Sequence, residues 1–76
     1  MTEVPFPAMS KEGSATGVVA TWFVAEGETV HADQLIAEVA MDKVDAEVLA
    51  PADGTISLKV PEGGEAVEGS VIAKIQ

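Results

Sequence analysis

The sequence contains no cysteine, no arginine and no tyrosine among its 76 residues. The absence of cysteine excludes disulfides, thiolate metal sites and cysteine nucleophiles. No apolar run is long enough to span a bilayer, and the first residues lack the basic and then apolar pattern of a signal peptide. At this length we expect one small, compact domain that spans residues 1–76.

Positive charge is also scarce. Four lysines stand against thirteen acidic residues, which gives a formal net charge of −9. A nucleic-acid-binding domain needs a basic face, and anionic membranes attract basic segments, so we expect neither as a partner. An acidic surface suits encounters with basic proteins. A solvated surface with no particular partner is the alternative that composition alone favours.

The residues that are present favour an all-β fold. Helical periodicity is poor, and valine, isoleucine and threonine recur in short runs between glycine, proline and acidic residues. We predict strands at residues 4–8, 17–24, 35–40, 44–49, 55–60 and 71–75. Pro5 and Pro7 restrict the first strand to a sheet edge, because proline has no N–H for the ladder. Residues 9–16 are small and polar and predict a surface loop.

The alternation of apolar and polar residues is symmetric about Asp42-Lys43. A two-residue hairpin loop there would pair Met41 with Val44, Val39 with Ala46 and Ala37 with Val48, all on one face. Glu38, Asp45 and Glu47 would lie on the other face, with Glu38 directly across from Glu47. A shift of one residue would break this agreement. The pattern therefore predicts a hairpin with Lys43 at its tip, clear of the core.

The chain also repeats itself. Gly17-Val18-Val19, Glu26-Gly27-Glu28-Thr29-Val30 and Leu35-Ile36-Ala37-Glu38-Val39 are followed by Gly54-Thr55-Ile56, Glu62-Gly63-Gly64-Glu65-Ala66-Val67 and Val71-Ile72-Ala73-Lys74-Ile75. The offset is 54 − 17 = 37 at the first glycines and 71 − 35 = 36 at the last strands. Two matching halves predict a pseudo-twofold domain with one shared core. We predict a flattened β-barrel, or a sandwich, of two small antiparallel sheets.

These segments, together with Asp42-Lys43-Val44 and Ala50-Pro51-Ala52-Asp53-Gly54, resemble a lipoyl domain over nearly the whole chain. Lipoyl domains are the swinging-arm carriers of 2-oxo acid dehydrogenase complexes. In that family the lysine of an Asp-Lys-Ala or Asp-Lys-Val turn is amide-linked to lipoate, and Lys43 matches that lysine. The resemblance implies that Asp42 and Val44 are the turn residues that the attaching enzyme reads.

The resemblance implies a carrier with no catalytic residues of its own and with lipoate on Lys43 as its cofactor. The implied partners are a lipoate-attaching enzyme, a thiamine diphosphate-dependent 2-oxo acid decarboxylase, an acyltransferase core and dihydrolipoyl dehydrogenase. Tethered lipoate would carry acyl groups and reducing equivalents between their active sites. We expect a monomeric domain, excised from the N-terminal part of a dihydrolipoyllysine acyltransferase, in the bacterial cytoplasm or the mitochondrial matrix.

Two groups of residues are candidates for partner recognition. Glu38, Asp45 and Glu47 face outward beside the tip. In lipoyl domains the loop that matches residues 9–16 lies near the lysine turn and helps the decarboxylase to recognise the domain. Its candidate residues here are Ser10, Lys11, Glu12 and Ser14. A solvated acidic patch and an ordinary connector are the alternatives. No calcium-loop spacing is present, so no metal site is expected, and His31 has no context for catalysis.

Two positions depart from the usual lipoyl pattern. Ala40 stands where lipoyl domains often have glutamate, and Met41 stands where threonine or serine is common. Met41 also makes the turn similar to that of the related biotinyl domains, which reads Met-Lys-Met, but Asp42 and Val44 occupy the places where that motif needs methionine. A biotin carrier is therefore the first alternative. An unmodified, lipoyl-like structural adaptor is the second.

Overall fold

The computed structural model describes residues 1–8, 10–11, 15–42 and 44–76. These residues form strands and turns, and no helix among them is long and apolar enough to cross a membrane. The strands are Thr2–Pro5 (β1), Thr16–Trp22 (β2), Thr29–Val30 (β3), Leu35–Met41 (β4), Val44–Leu49 (β5), Gly54–Leu58 (β6), Glu65–Val67 (β7) and Val71–Ile75 (β8).

The strands make two four-stranded antiparallel sheets, with the orders β1-β8-β6-β3 and β5-β4-β2-β7. We call them the terminal sheet and the hairpin sheet. The predicted all-β fold is confirmed. The two sheets pack as a sandwich and do not close into a barrel, so the sandwich form of the prediction is the correct one. β1 is an edge strand, as Pro5 requires.

Several predicted strand bounds were wrong. β3 and β7 were missed because strands of two and three residues are too short to show alternation. The first strand is Thr2–Pro5, since the register shifts after Val4 and Phe6 turns into the core. β2 starts one residue earlier than predicted and ends at Trp22. β6 ends at Leu58, because the next two N–H groups share the Ile72 carbonyl and the ladder stops there.

The predicted hairpin register is confirmed. Met41 pairs with Val44, Ala40 with Asp45, Val39 with Ala46, Glu38 with Glu47 and Ala37 with Val48. The alternation fails at the far end of the hairpin, where the register shifts between Leu35 and Ala37. Ile36 is buried there and Leu35 is exposed, so Ile36 is the residue that enters the core at this end of the hairpin.

The internal repeat maps one sheet onto the other. Replacing β5, β4, β2 and β7 with β1, β8, β6 and β3 converts one strand order into the other. The short strands are exchanged between the halves, because β3 pairs with β6 and β7 pairs with β2. Each sheet is therefore completed by a strand from the other half, and neither half can form its sheet alone.

Both sheets contribute to one core. The largest fully buried side chains are Phe6, Ile36, Ile56, Ile72, Ile75, Val4, Val19, Val30 and Val39. Trp22 packs against this core and its Nε1 donates to the Val60 carbonyl at 2.8 Å, whereas Phe23 is 51% exposed. Of these two adjacent aromatics, only Trp22 is therefore held against the core.

Gly17 and Gly54 occupy equivalent places in the repeat, and neither place has room for a side chain. A Cβ on Gly17 would lie 2.5 Å from Phe6 Cζ and 2.7 Å from the Ala40 carbonyl oxygen. A Cβ on Gly54 would overlap the carbonyl oxygen of Gln76. Ala40 and Gln76 are separated by 76 − 40 = 36 residues, so the repeat extends to these close approaches.

We predict that Gly17→Ala lowers the free energy of unfolding by about 3 kcal/mol, because the new methyl group must displace the Phe6 ring or the Ala40 backbone. Gly27→Ala is the matched control. Gly27 has a φ of +83° and no atom near its would-be Cβ, so that change should cost only about 1 kcal/mol through backbone strain. Urea denaturation measures both values, and equal losses for the two variants would contradict the steric argument.

Candidate functional site

The tip of the β4–β5 hairpin begins in a left-handed turn. Asp42 has a φ of 55°, as the first residue of a tight two-residue hairpin loop requires. Aspartate tolerates this conformation better than most residues, because its short polar side chain can bond to nearby backbone. Asp42 is exposed. The predicted attachment residue, Lys43, lies outside the described residues.

The hairpin leaves the core before it reaches the tip. Along its inward face, Val39 is fully buried and Met41 is 7% exposed, but Val44 is 56% exposed. The core thus ends at the level of Met41. The two described neighbours of Lys43, which are Asp42 and Val44, are both in solvent.

The outer face of the hairpin sheet presents a row of side chains across all four strands. Asp45 pairs with Ala40, Ala40 with Val18, and Val18 with Glu65. A groove of about 290 Å³ lies beside Asp42. Three residues of this row line it, together with Thr16 and Gly17: Val18, Ala40 and Glu65. Ala40 has a small side chain, and a larger residue at this position would fill part of the groove.

Three predicted recognition carboxylates lie on this outer face. Glu38 is half-buried and stands directly across from Glu47, as predicted, and Asp45 and Glu47 are exposed. The structure adds Glu65, which the sequence pattern did not single out because it lies in the unpredicted strand β7. Glu65 could have been found by asking which segment pairs with the second edge of β2.

The predicted recognition loop is described only at its ends. Ser10 is half-buried and Lys11 is exposed, whereas Glu12 and Ser14 lie outside the described residues. The Ser10 N–H and Oγ–H donate to the Glu68 carboxylate at 2.5 and 2.6 Å, and the Ala15 N–H donates to it at 3.0 Å. Glu68 is only 5% exposed. Sequence reasoning missed Glu68, because a glutamate beside a glycine reads as an exposed turn residue.

The described part of the site suits an attachment point better than a reaction centre. His31 is exposed in the β3–β4 turn, on the opposite end of the sandwich from the tip. The residues that flank position 43 are exposed, and Asp42 also lines the groove. The described part of the hairpin tip is therefore open to solvent.

A family model described as "Biotin-requiring enzyme" (Biotin_lipoyl) matches residues 2–75. Among curated proteins, the chain is 43% identical over 65 residues to the dihydrolipoyllysine-residue acetyltransferase component of the pyruvate dehydrogenase complex of Staphylococcus aureus. It is 42% identical over 65 residues to the component of the same name in Staphylococcus epidermidis. Each match covers 84% of this chain but only 15% of the relative's length.

A solved structure is also similar. The lipoyl domain of the 2-oxoglutarate dehydrogenase complex of Azotobacter vinelandii superposes with a TM-score of 0.79 and is 36% identical in sequence. The superposition covers 100% of this chain and 96% of that domain. The resemblance stated from the sequence is therefore confirmed in both sequence and fold.

We predict that Glu47→Lys raises the free energy of unfolding by about 0.5 to 1 kcal/mol, because it replaces a like-charge pair with Glu38 by an opposite-charge pair. The gain should shrink as salt is added. Glu3→Lys is the matched control, since it places a lysine across from Lys74 at the equivalent site of the terminal sheet and should lower stability. Urea midpoints that move in the same direction for both variants would refute the pairing argument.

Proposed function

This chain belongs to the Biotin_lipoyl family and is a lipoyl domain, and from that premise we propose that lipoate is amide-linked to Lys43. The observation that carries the proposal is the hairpin register, in which Met41 pairs with Val44 and only positions 42 and 43 separate the paired residues. The left-handed Asp42 and the exposed Val44 support it, since both leave the tip accessible to an attaching enzyme. Lipoate would supply a dithiolane that carries acyl groups and reducing equivalents between active sites.

The chain spans 15% of the length of the curated relatives it matches. We propose that it serves as the carrier domain of a dihydrolipoyllysine acyltransferase, since the relatives bear that name. On this proposal a lipoate-attaching enzyme loads the domain, and a thiamine diphosphate-dependent 2-oxo acid decarboxylase, the acyltransferase core and dihydrolipoyl dehydrogenase act on it in turn. The bacterial origin of the relatives supports the bacterial cytoplasm as its location.

The domain itself would contribute presentation. A lysine at the end of the hairpin would present the carried group to each partner at one exposed tip. Tethering also raises the effective concentration of the carried group. The outer-face carboxylates Glu38, Asp45 and Glu47, with Ser10, Lys11 and Glu12 of the loop, would identify the domain to a decarboxylase. Asp42 and Val44 would identify the turn to the attaching enzyme.

Intact-mass analysis tests the attachment site. After incubation with a lipoate ligase, ATP and lipoate, we expect the wild-type chain to gain one lipoyl increment and Lys43→Arg to gain none. Lys59→Arg is the control, since Lys59 is an exposed lysine that follows β6 of the terminal sheet and its loss should leave the increment in place. Modification of the Lys43→Arg chain would contradict the assignment. A biotin increment with biotin ligase would identify a biotin carrier, and no increment with either ligase would favour a structural adaptor.

Partner recognition by the acidic face is tested on the lipoylated chain. The decarboxylase components of the Staphylococcus aureus pyruvate dehydrogenase complex and of the Azotobacter vinelandii 2-oxoglutarate dehydrogenase complex are suitable probes. With the better of the two, we expect the double variant Glu38→Gln and Glu47→Gln to raise the KM for the domain by about tenfold through lost charge complementarity. Glu3→Gln, on the terminal sheet, should change the KM less than twofold. Equal KM values for all three chains would remove these carboxylates from recognition.

A further inference from the structure

The hairpin sheet has an open edge at β5. In the strand order β5-β4-β2-β7, β5 pairs with β4 on one side only. β5 has six residues and contains neither proline nor glycine, whereas β7, at the other edge, has three residues. The edge strands of the terminal sheet, β1 and β3, have four and two residues. Among the described strands, β5 is therefore the longest that has an unpaired side.

The backbone groups of alternate β5 residues point to this open edge. Directly after β5, the Ala50 N–H donates to the Gln34 carbonyl at 2.8 Å, on the side of β4. Successive residues of an antiparallel strand direct their N–H and C=O groups to opposite sides. The backbone groups of Asp45, Glu47 and Leu49 therefore point away from β4.

The equivalent edge strand of the terminal sheet is blocked by a proline. The Phe6 N–H donates to the Ser70 carbonyl at 2.8 Å, as Ala50 does to its own partner, so Phe6 and Ala50 are equivalent in the repeat. Pro5 therefore matches Leu49. Proline has no N–H to donate to an added strand. The fold thus accepts a proline at this position, and the leucine leaves the edge of β5 open.

The same three β5 residues present a row of side chains on the outer face of the sheet. Alternate residues of a strand share a face and lie about 7 Å apart. Asp45 and Glu47 are exposed, and Leu49 is 49% exposed. An approaching segment would therefore meet two carboxylates and then an apolar side chain, beside the backbone groups that it could bond.

The charges select the kind of segment that fits this edge. A second copy of β5 would bring two acidic rows together, and each chain has a formal net charge of −9, so repulsion opposes self-pairing. No lysine lies in the four strands of the hairpin sheet, all of whose residues are described. Basic side chains that neutralise Asp45 and Glu47 must therefore come from a partner.

We propose that β5 is the docking edge for an extended, basic segment of a partner protein, which adds to the hairpin sheet as a further strand. Backbone hydrogen bonds to Asp45, Glu47 and Leu49 hold the segment. Lysine or arginine at two alternate positions pairs with the two carboxylates, and an apolar residue at the next alternate position covers the leucine. This inference rests on the recognition role of Asp45 and Glu47 in the proposed function, but it does not require lipoate on Lys43.

Amide hydrogen exchange of the unmodified 76-residue chain tests whether the edge is open. We expect the N–H groups of Asp45, Glu47 and Leu49 to exchange at least about tenfold faster than those of Ala46 and Val48, because only the latter two bond to β4. Equally slow exchange at all five residues would show that the edge is already covered and would overturn the inference.

Docking is measured by titrating the nitrogen-15-labelled, unmodified chain with a defined peptide. The probe is the acetylated and amidated peptide Val-Leu-Thr-Lys-Thr-Lys-Thr, in which the leucine and the two lysines alternate as Leu49, Glu47 and Asp45 do. We expect a Kd below about 1 mM, shift changes centred on residues 44–49 and slower exchange at the three edge amides. Absence of binding at this concentration, or shift changes centred on the terminal sheet, would overturn the inference.

Two matched peptides separate strand addition from simple charge attraction. Methylation of the backbone nitrogens of the leucine and the two lysines keeps every side chain and removes the donors that would bond to β5. We expect it to weaken binding at least about tenfold, since several hydrogen bonds cannot form. Replacement of both lysines with glutamate should abolish binding. Equal affinity of the methylated and the parent peptide would overturn strand addition.

Variants of the chain test the same edge from the other side. Leu49→Pro copies Pro5, so we expect it to fold with a urea midpoint within about 0.5 M of the wild type and to bind the parent peptide about tenfold more weakly. Leu49→Val keeps the N–H and an apolar side chain and should change the Kd less than twofold. If the proline variant is poorly folded, Asp45→Asn with Glu47→Gln replaces it and should also weaken binding about tenfold. Wild-type affinity in either folded variant would overturn the inference.

Two further measurements separate this inference from its rivals. Sedimentation of the chain without peptide should show monomers, and dimers that Leu49→Pro abolishes would identify a second copy as the occupant and overturn the inference. Lys43→Arg should bind the peptide with wild-type affinity although it cannot accept lipoate at that position. Loss of lipoylation would therefore contradict the proposed attachment, whereas loss of peptide binding would contradict the docking edge.

Discussion

The fold depends on the exchange of short strands between the two halves of the chain. The Gly27 N–H donates to the Ile56 carbonyl at 2.8 Å, and the Gly63 N–H donates to the Val19 carbonyl at 2.7 Å. Both glycines have φ values near 80°, so each half places a left-handed turn against a strand of the other half. Turn glutamates reinforce the exchange, because Glu26 accepts from the Leu58 N–H and Glu62 from the Trp22 N–H. A core is formed only when both halves are in place.

That constraint also sets where the core ends along the hairpin. The cross-half bonds fix β2 and β6 in the middle of their sheets, and β4 pairs with β2 as far as Ala40 and with β5 as far as Met41, where the core ends. The repeat gives β8 the equivalent place in the terminal sheet, where Gln76 takes the position of Ala40. One end of the sandwich therefore carries the hairpin tip, and the opposite end carries the first and last residues. The two ends have the same backbone framework and different surfaces.

The features of the fold that depend on the alternation of apolar and polar residues could be predicted from the sequence. The hairpin register followed from the two-residue period of Val39, Met41 and Val44, because a shift would have exposed the apolar row. β3 and β7 were not predictable in this way, since their extended form is imposed by their partners in the other half. The bulge at Ile36 was missed for a similar reason. Glu68 was missed because its described partners, Ser10 and Ala15, lie far from it in the sequence.

A comparison of equivalent positions in the two sheets shows whether the fold requires the charges that are found there. Lys74 and Glu38 are equivalent in the repeat, and so are their cross-strand partners, Glu3 and Glu47. The terminal sheet thus has an opposite-charge pair where the hairpin sheet has two glutamates. Since the same backbone accommodates an attractive pair, the repulsive pair is not imposed by strand geometry. Its small cost in stability comes from the two side chains and not from the strands that carry them. The charge pattern of the hairpin sheet is therefore not a requirement of the fold, which is what the proposed recognition role of Glu38 and Glu47 expects.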